Sequence, residues 1–348
     1  MEALWYYLVA VMVAGYATLD GFDFGAGTLH LFVARTDAER RTVLGAIGPL
    51  WDGNEVWLLA GGGTLFLAFP HVLASGFSGL YLAMFLVVWT LILRGISIEF
   101  RSHVRSELWR AFWDVVLFVA STLMPVFLGA ALGNILRGVP VDSSGRFNLP
   151  LFTDFGTQNP VGILDWYTVL TGLFVWITLA AHGALFLSFK CDGPVRERSR
   201  RAATYLWTGA AAFGIVTTLA TASVNPALYR ALPHSPLAWV GLGLFLIGMV
   251  TTFVALRLRR DLLAFLGSSG FIVGILVATA ACSFPVMLRS TLDPKFSLTA
   301  YNASVAEHGL RVGAIWWVLG FLIVLGYFTL LFRLHRGRVK AEADGEGY

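Results

Sequence analysis

The chain is built from long apolar runs separated by short charged segments. Nine runs stand out, at residues 4–24, 56–74, 79–98, 113–132, 165–186, 203–222, 237–256, 264–286 and 312–332. Each is about 20 residues long, enough for an α-helix to cross a hydrocarbon core of roughly 30 Å. The runs are apolar throughout rather than at alternate positions, which predicts helices and excludes the strands of a lipid-facing barrel. The first run could extend toward Phe32. The pattern therefore predicts an all-α polytopic membrane protein with nine transmembrane helices, and a single transmembrane domain over residues 1–348.

The basic residues test this parse. Arg35, Arg40 and Arg41 fall after the first run, and Arg94, Arg101, Arg105 and Arg110 at and after the end of the third. Lys190, Arg196, Arg198, Arg200 and Arg201 follow the fifth, and Arg257, Arg259 and Arg260 the seventh. Arg333, Arg336, Arg338 and Lys340 end the chain. The other side holds only Arg137, Arg146, Arg230, Arg289, Lys295 and Arg311. Cytoplasmic loops carry the excess of Lys and Arg, so the N-terminus is expected outside and the C-terminus in the cytoplasm. The two longest loops, 133–164 and 287–311, then lie outside.

Composition agrees. Hydrophobic residues make up 57% of the chain and charged residues 13%, too few to coat a soluble domain of 348 residues. A pI near 9.2 would suit a nucleic-acid binder. Here the bases sit in short loops and are read as topology signals, with no nucleic-acid partner. The first residues carry an acid, Glu2, and no base, so no cleavable signal is expected. Cys191 and Cys282 form neither a metal spacing nor a disulfide framework.

The informative residues are acids in apolar surroundings. Asp20 and Asp23 are three apart near the end of the first run, hence on one helix face. A carboxylate at the centre of a membrane helix costs about 2.5–3.5 kcal/mol even on insertion scales, so both should face protein, water or a partner. They suit a proton relay; the plainer reading is a hydrogen bond to a neighbouring helix. The segment Trp51-Asp52-Gly53-Asn54-Glu55 follows Pro49 and opens the second helix. There negative charge complements free N–H groups, and Asp52 could face Asp23. Glu99 lies between Arg94 and Arg101, which reads as a surface ion pair or as a point of proton entry. Together these acids trace a possible line from Glu99 through Asp52 to Asp23. Gly61–Gly63 and the pair Gly129 and Gly133 are expected to let helices approach closely.

Seven histidines raise the question of haem. Only His182 lies well inside a run, and no second deep histidine pairs with it. No haem ligand and no metal site are expected in this chain. The sequence assigns His182 no role.

These clusters resemble subunit II of cytochrome bd and cyanide-insensitive quinol oxidases. The resemblance rests on Asp20-Gly21-Phe22-Asp23-Phe24-Gly25 and on Gly48-Pro49-Leu50-Trp51-Asp52-Gly53-Asn54-Glu55-Val56-Trp57-Leu58. It continues with Arg94-Gly95 and Glu99-Phe100-Arg101, then Gly133-Asn134, Asn159-Pro160-Val161-Gly162 and Tyr301-Asn302-Ala303. It covers nearly the whole chain. Glu99 stands where some members have Asp, and Glu307-His308-Gly309-Leu310 departs from the family pattern.

The resemblance implies two four-helix bundles plus one extra helix, in the bacterial cytoplasmic (inner) membrane. It implies a heterodimer with a haem-bearing subunit I of the aerobic respiratory chain. That partner would hold haem b and haem d, or haem b only, and would oxidise quinol while reducing O2 to water. No cofactor is expected on this chain alone and no catalytic residue in it. Its implied role is to scaffold subunit I and to bring cytoplasmic protons through Asp23, Asp52 and Glu99, supported by Asp20, Trp51, Asn54, Glu55, Arg94 and Arg101. Membrane lipid and quinone are expected contacts, and a small single-span third subunit is left open. The competing expectation is a stand-alone membrane transporter or proton channel; the discontinuous helices and paired repeats common in transporters are not evident.

Overall fold

The computed structural model describes residues 1–158 and 160–339; Asn159 and Lys340, both named above, lie outside them. The elements run in the order α1 (Glu2–Val33), α2 (Asp37–Ile47), α3 (Trp51–Ala68), α4 (Pro70–Gly79), α5 (Tyr81–Phe100) and α6 (Glu107–Arg137). There follow α7 (Trp166–Lys190), α8 (Gly193–Val224), the short α9 (Pro226–Ala231), α10 (Pro236–Arg257), α11 (Asp261–Ser283) and α12 (Glu307–Leu334). Among the described residues, eight helices are long and apolar enough to cross a membrane, and the bent pair α3 and α4 raises the number to nine if it is one span. The chain is an all-α multi-pass membrane protein apart from one small strand pair.

Three local features depart from the sequence pattern. The run at 56–74 is not one helix: it breaks at Phe69, and α4 leaves α3 at 119°. Pro70 has no N–H to continue the ladder and pushes the preceding residue out of the helical region; Phe69 sits at φ −136°, ψ 57°. Second, the polar segment after α1 folds as α2. Its start is a capping box, with the Thr36 side chain accepting from the Glu39 N–H and the Glu39 side chain reaching back. Third, the loop after α11 contains antiparallel strands β1 (Val286–Leu288) and β2 (Leu298–Thr299).

Helix α1 is the centre of the packing. It meets α3 and α6 on one side and α7 and α11 on the other. Helices α1, α3, α5 and α6 form one group, and α7, α8, α10 and α11 a second. Helix α12 stands apart, touching α3 and α1 and largely exposed.

The groups join where side chains are absent. A Cβ on Gly25 of α1 would lie 2.7 Å from the Gly183 Cα of α7, and one on Gly183 would lie 2.3 Å from the Gly25 carbonyl carbon. These backbones touch. Gly129 and Gly133 of α6 do the same against Gly172 and Thr168 of α7, as their spacing suggested. Of Gly61–Gly63, only Gly61 meets a neighbouring helix, a Cβ there lying 3.6 Å from the Met12 Cβ of α1. Nothing lies within 4 Å of a Cβ on Gly62 or Gly63, and Gly63 opens onto an apolar cleft of about 730 Å³ between α3 and α12.

His182 is a knot between the groups. Its Nε2 pairs with the Thr18 carbonyl at 3.0 Å, its Nδ1 with the Ser268 hydroxyl at 2.6 Å, and its ring stacks on Phe265. It ties α1, α7 and α11 together. At the far end, Arg137 donates to Asp165, to the Gly162 carbonyl at 3.1 Å and to Asn134 at 2.7 Å. Asp165 also caps α7 through the N–H groups of Tyr167 and Thr168.

Candidate functional site

The apolar core encloses a strongly charged cluster. Asp20, Asp23, Arg94 and Asn54 are buried, at 0–1% exposure, and come from α1, α5 and α3. Arg94 donates to Asp20 across 2.5 Å and to Glu55 across 2.8 Å. Its guanidinium lies 4.4 Å from the Phe24 ring centre and 5.8 Å from that of Trp51. Asn54 donates to Asp23 across 2.8 Å. Of the residues the sequence singled out, Asp20, Asp23, Trp51, Asn54, Glu55 and Arg94 thus converge on one point.

Asp52 and Glu99 do not join them. Both are exposed at the surface of the chain. The helix explains it: a two-residue step turns about 200°, so α3 cannot aim both Asn54 and Asp52 at α1. The structure aims Asn54, and the expected Asp23–Asp52 facing is replaced by Asp23–Asn54. On α5, Arg94 and Arg101 are seven residues apart and share the buried face, while Glu99 points off it. The expected ion pair of Glu99 with these arginines is absent, because Arg94 goes to Asp20 and Glu55 and Arg101 goes elsewhere.

Arg101 belongs to a second cluster that the sequence pattern did not reveal, at the arginine-rich end of the bundle. Its centre is Asp114 of α6, 1% exposed. Asp114 accepts from Arg101 at 2.5 Å and Arg40 at 2.8 Å, and pairs with His30 Nε2 at 2.6 Å. Arg101 also reaches Asp37 of α2 at 2.8 Å, which Arg110 binds at 2.9 Å. Partial burial works against the Asp37 carboxylate, but Arg101 and Arg110 outweigh it and hold it below its ordinary range. Asp37 and Asp114 sat unremarked in the sequence as ordinary loop and helix-start acids. Only the facing arginines, remote in sequence, set them apart.

The first cluster is electrostatically incomplete. Three carboxyl groups, Asp20, Asp23 and Glu55, share one guanidinium. Among the described residues, Asp20 Oδ2, Asp23 Oδ1, Asn54 Oδ1 and Arg94 Nε are buried without a hydrogen-bond partner in the chain. The Tyr16 hydroxyl, one turn before Asp20 on α1, is also buried without a hydrogen-bond partner. Each unpaired buried polar atom costs about 1–3 kcal/mol, and native interiors pair such atoms with protein or ordered water. A cluster leaving several open has hydrogen-bonding capacity that ordered water can fill.

Both ring nitrogens of His182 are engaged, and His30 Nε2 is held by Asp114. Among the described residues, no group of three or more His, Cys, Asp or Glu could hold a metal.

The family model for cytochrome bd terminal oxidase subunit II matches residues 1–335. The chain belongs to that family. It is similar to cytochrome bd ubiquinol oxidase subunit 2 of Bacillus subtilis, 31% identical over 343 residues covering 98% of this chain and 97% of that one. It is also similar to cytochrome bd-I ubiquinol oxidase subunit 2 of Escherichia coli K12, 29% identical over 370 residues with 98% and 96% covered. A bd oxidase structure from Geobacillus thermodenitrificans shares the fold, with a TM-score of 0.75, 19% identity, and 96% and 98% of the two chains covered. As a family member the chain is one subunit of a quinol oxidase, and membership implies a subunit I beside it.

Proposed function

We propose that this chain is the haem-free second subunit of a heterodimeric quinol:O2 oxidoreductase, scaffolding a haem-bearing subunit I and bringing cytoplasmic protons toward it. The partner holds haem b and haem d, or haem b alone, oxidises ubiquinol or menaquinol, and reduces O2 to water; this chain carries no catalytic residue. What supports a proton role is the buried, incompletely paired group of Asp20, Asp23, Asn54, Glu55 and Arg94.

In this reading the chain is a single transmembrane unit in the bacterial cytoplasmic membrane. The pair α3 and α4 counts as one span, which makes nine. Helices α1, α3–α4, α5 and α6 are one four-helix bundle, α7, α8, α10 and α11 the other, and α12 the extra helix. The arginine-rich end is cytoplasmic, which puts the N-terminus outside.

Asp52 and Glu99 have a role here that the lone chain does not provide. Both are exposed near the arginine-rich ends of α3 and α5. A carboxylate facing acyl chains is costly, so subunit I covers this face. Protons taken up at Glu99 then pass Asp52 along the subunit boundary, with Asp23 behind it. An Asp52→Asn complex should keep the visible spectrum of its assembled haems and turn over more slowly. Wild-type turnover and proton uptake would remove Asp52 from the route, and loss of the haem bands would give it a role in assembly instead.

A further inference from the structure

Four polar residues of α1, Tyr16, Asp20, Asp23 and His30, recur at helical spacing, with Gly27 between the last two. The steps are four, three, four and three residues, so all five positions share one helix face, spanning about 21 Å at 1.5 Å per residue. That face is buried along its whole length. It looks at Asn54 of α3, Arg94 of α5, and Asp114 and Ser121 of α6.

Ser121 fills the gap between the two clusters. A Cβ on Gly27 would lie 2.1 Å from the Ser121 hydroxyl oxygen, so the glycine is what admits the hydroxyl to the α1 face. The residue is 0% exposed and its hydroxyl has no partner in the chain. One turn closer to the centre is Asp23 Oδ1, also unpaired; one turn toward the arginine-rich end is His30, whose Nδ1 is unpaired. His30 Nε2 faces the Asp114 carboxylate, itself held by Arg101 and Arg40. With the Nε2 proton donated to that carboxylate, Nδ1 is left as an acceptor. Open polar atoms thus recur along one face at His30, Ser121, Asp23 and Asp20, the pattern of a track completed by ordered water.

We infer that His30 and the Ser121 hydroxyl form a second proton inlet, inside this chain along the α1–α6 contact, that reaches Asp23 independently of Glu99 and Asp52. This rests on the proton-delivery reading above. A proton taken up at the His30 end is matched by one released from Asp23, and each hydroxyl, imidazole and water between them regains the proton it passes on. Ser121 is a positioning residue for this wire; it touches no substrate or haem.

The test uses the whole two-subunit oxidase in membrane vesicles, reading quinol-driven O2 consumption, proton uptake and the visible spectrum. Because two inlets in parallel hide one another, Ser121→Ala is compared in the wild-type and Glu99→Gln backgrounds. With an independent inlet, Ser121→Ala costs about tenfold or more in the Glu99→Gln background, and much less alone. Ser121→Thr, which keeps the hydroxyl, restores the rate and the solvent isotope effect, and the spectrum is unchanged throughout. If Ser121→Ala slows Glu99→Gln no further, or if Thr fails to restore what Ala removes, the inlet is wrong. A separate Asp23→Asn complex with wild-type turnover would instead overturn the delivery reading itself.

Discussion

Arg94 donates to Asp20 across 2.5 Å, a cation from α5 buried against an anion from α1 at the heart of the first helix group. The pair is 0–1% exposed, and Arg94 alone also answers Glu55. Removing one partner of a buried pair strands the other charge, at about 3–5 kcal/mol. Arg94→Met should therefore lose assembled complex or lower its thermal midpoint strongly. Adding Asp20→Leu should recover part of the loss, since replacing both partners leaves no stranded charge between them. Equal damage in the single and double variants would show that the pair is not what holds α1 to α5.

The crossing of α1 and α7 depends on two glycines with touching backbones. Gly183→Ala would force a methyl to within 2.3 Å of the Gly25 carbonyl carbon. We expect a loss of about 1–3 kcal/mol or failed assembly, seen in thermal melts of the purified complex. Gly62→Ala, which meets nothing within 4 Å in the chain, should leave the fold of this subunit intact.

His182 serves as a hydrogen-bonded tie, with both nitrogens engaged. His182→Leu should lower stability by about 1–3 kcal/mol through loss of its hydrogen bonds to the Thr18 carbonyl and to the Ser268 hydroxyl, which keeps its bond to the Phe265 carbonyl. The visible bands of the complex should keep their positions. A vanished or shifted haem band would make this residue a ligand after all.

Asp37 gives the arginine-rich end a dependence on pH. Its carboxyl is held below the ordinary range in the folded chain. Its contribution is therefore full above the unfolded value, about 3.9, and is lost as pH falls through the lower folded value. The thermal midpoint should drop with acid below about pH 4, and less steeply in Asp37→Asn. Solvent screening keeps each such half-exposed contact near 0–1 kcal/mol, so the change is small. Identical acid slopes for the two proteins would mean that α2 is not held through Asp37.

The spans and the first cluster were legible because each carries a local signal: runs of about 20 apolar residues, and carboxylates three apart where lipid should be. The break at Phe69 was also written locally, in Pro70, and the start of α2 in Thr36 and Glu39. The Asp114 cluster was not legible. Its partners His30, Arg40 and Arg101 come from three separate segments, and nothing near Asp114 in the chain marks it as buried. Asp52 misled for a geometric reason: the motif places Asp52 and Asn54 two residues apart in sequence, and a helix turns them to opposite faces.

The most direct measurement is proton uptake from the cytoplasmic side, alongside O2 consumption, in the assembled oxidase carrying Asp23→Asn. Asn preserves the shape and the contact with Asn54 while removing the exchangeable acid. We predict a normal haem spectrum with uptake and turnover slowed together by about 10²-fold or more. Wild-type uptake in a fully assembled complex would contradict the account, and would leave the buried carboxyl as a structural hydrogen bond between α1 and α3.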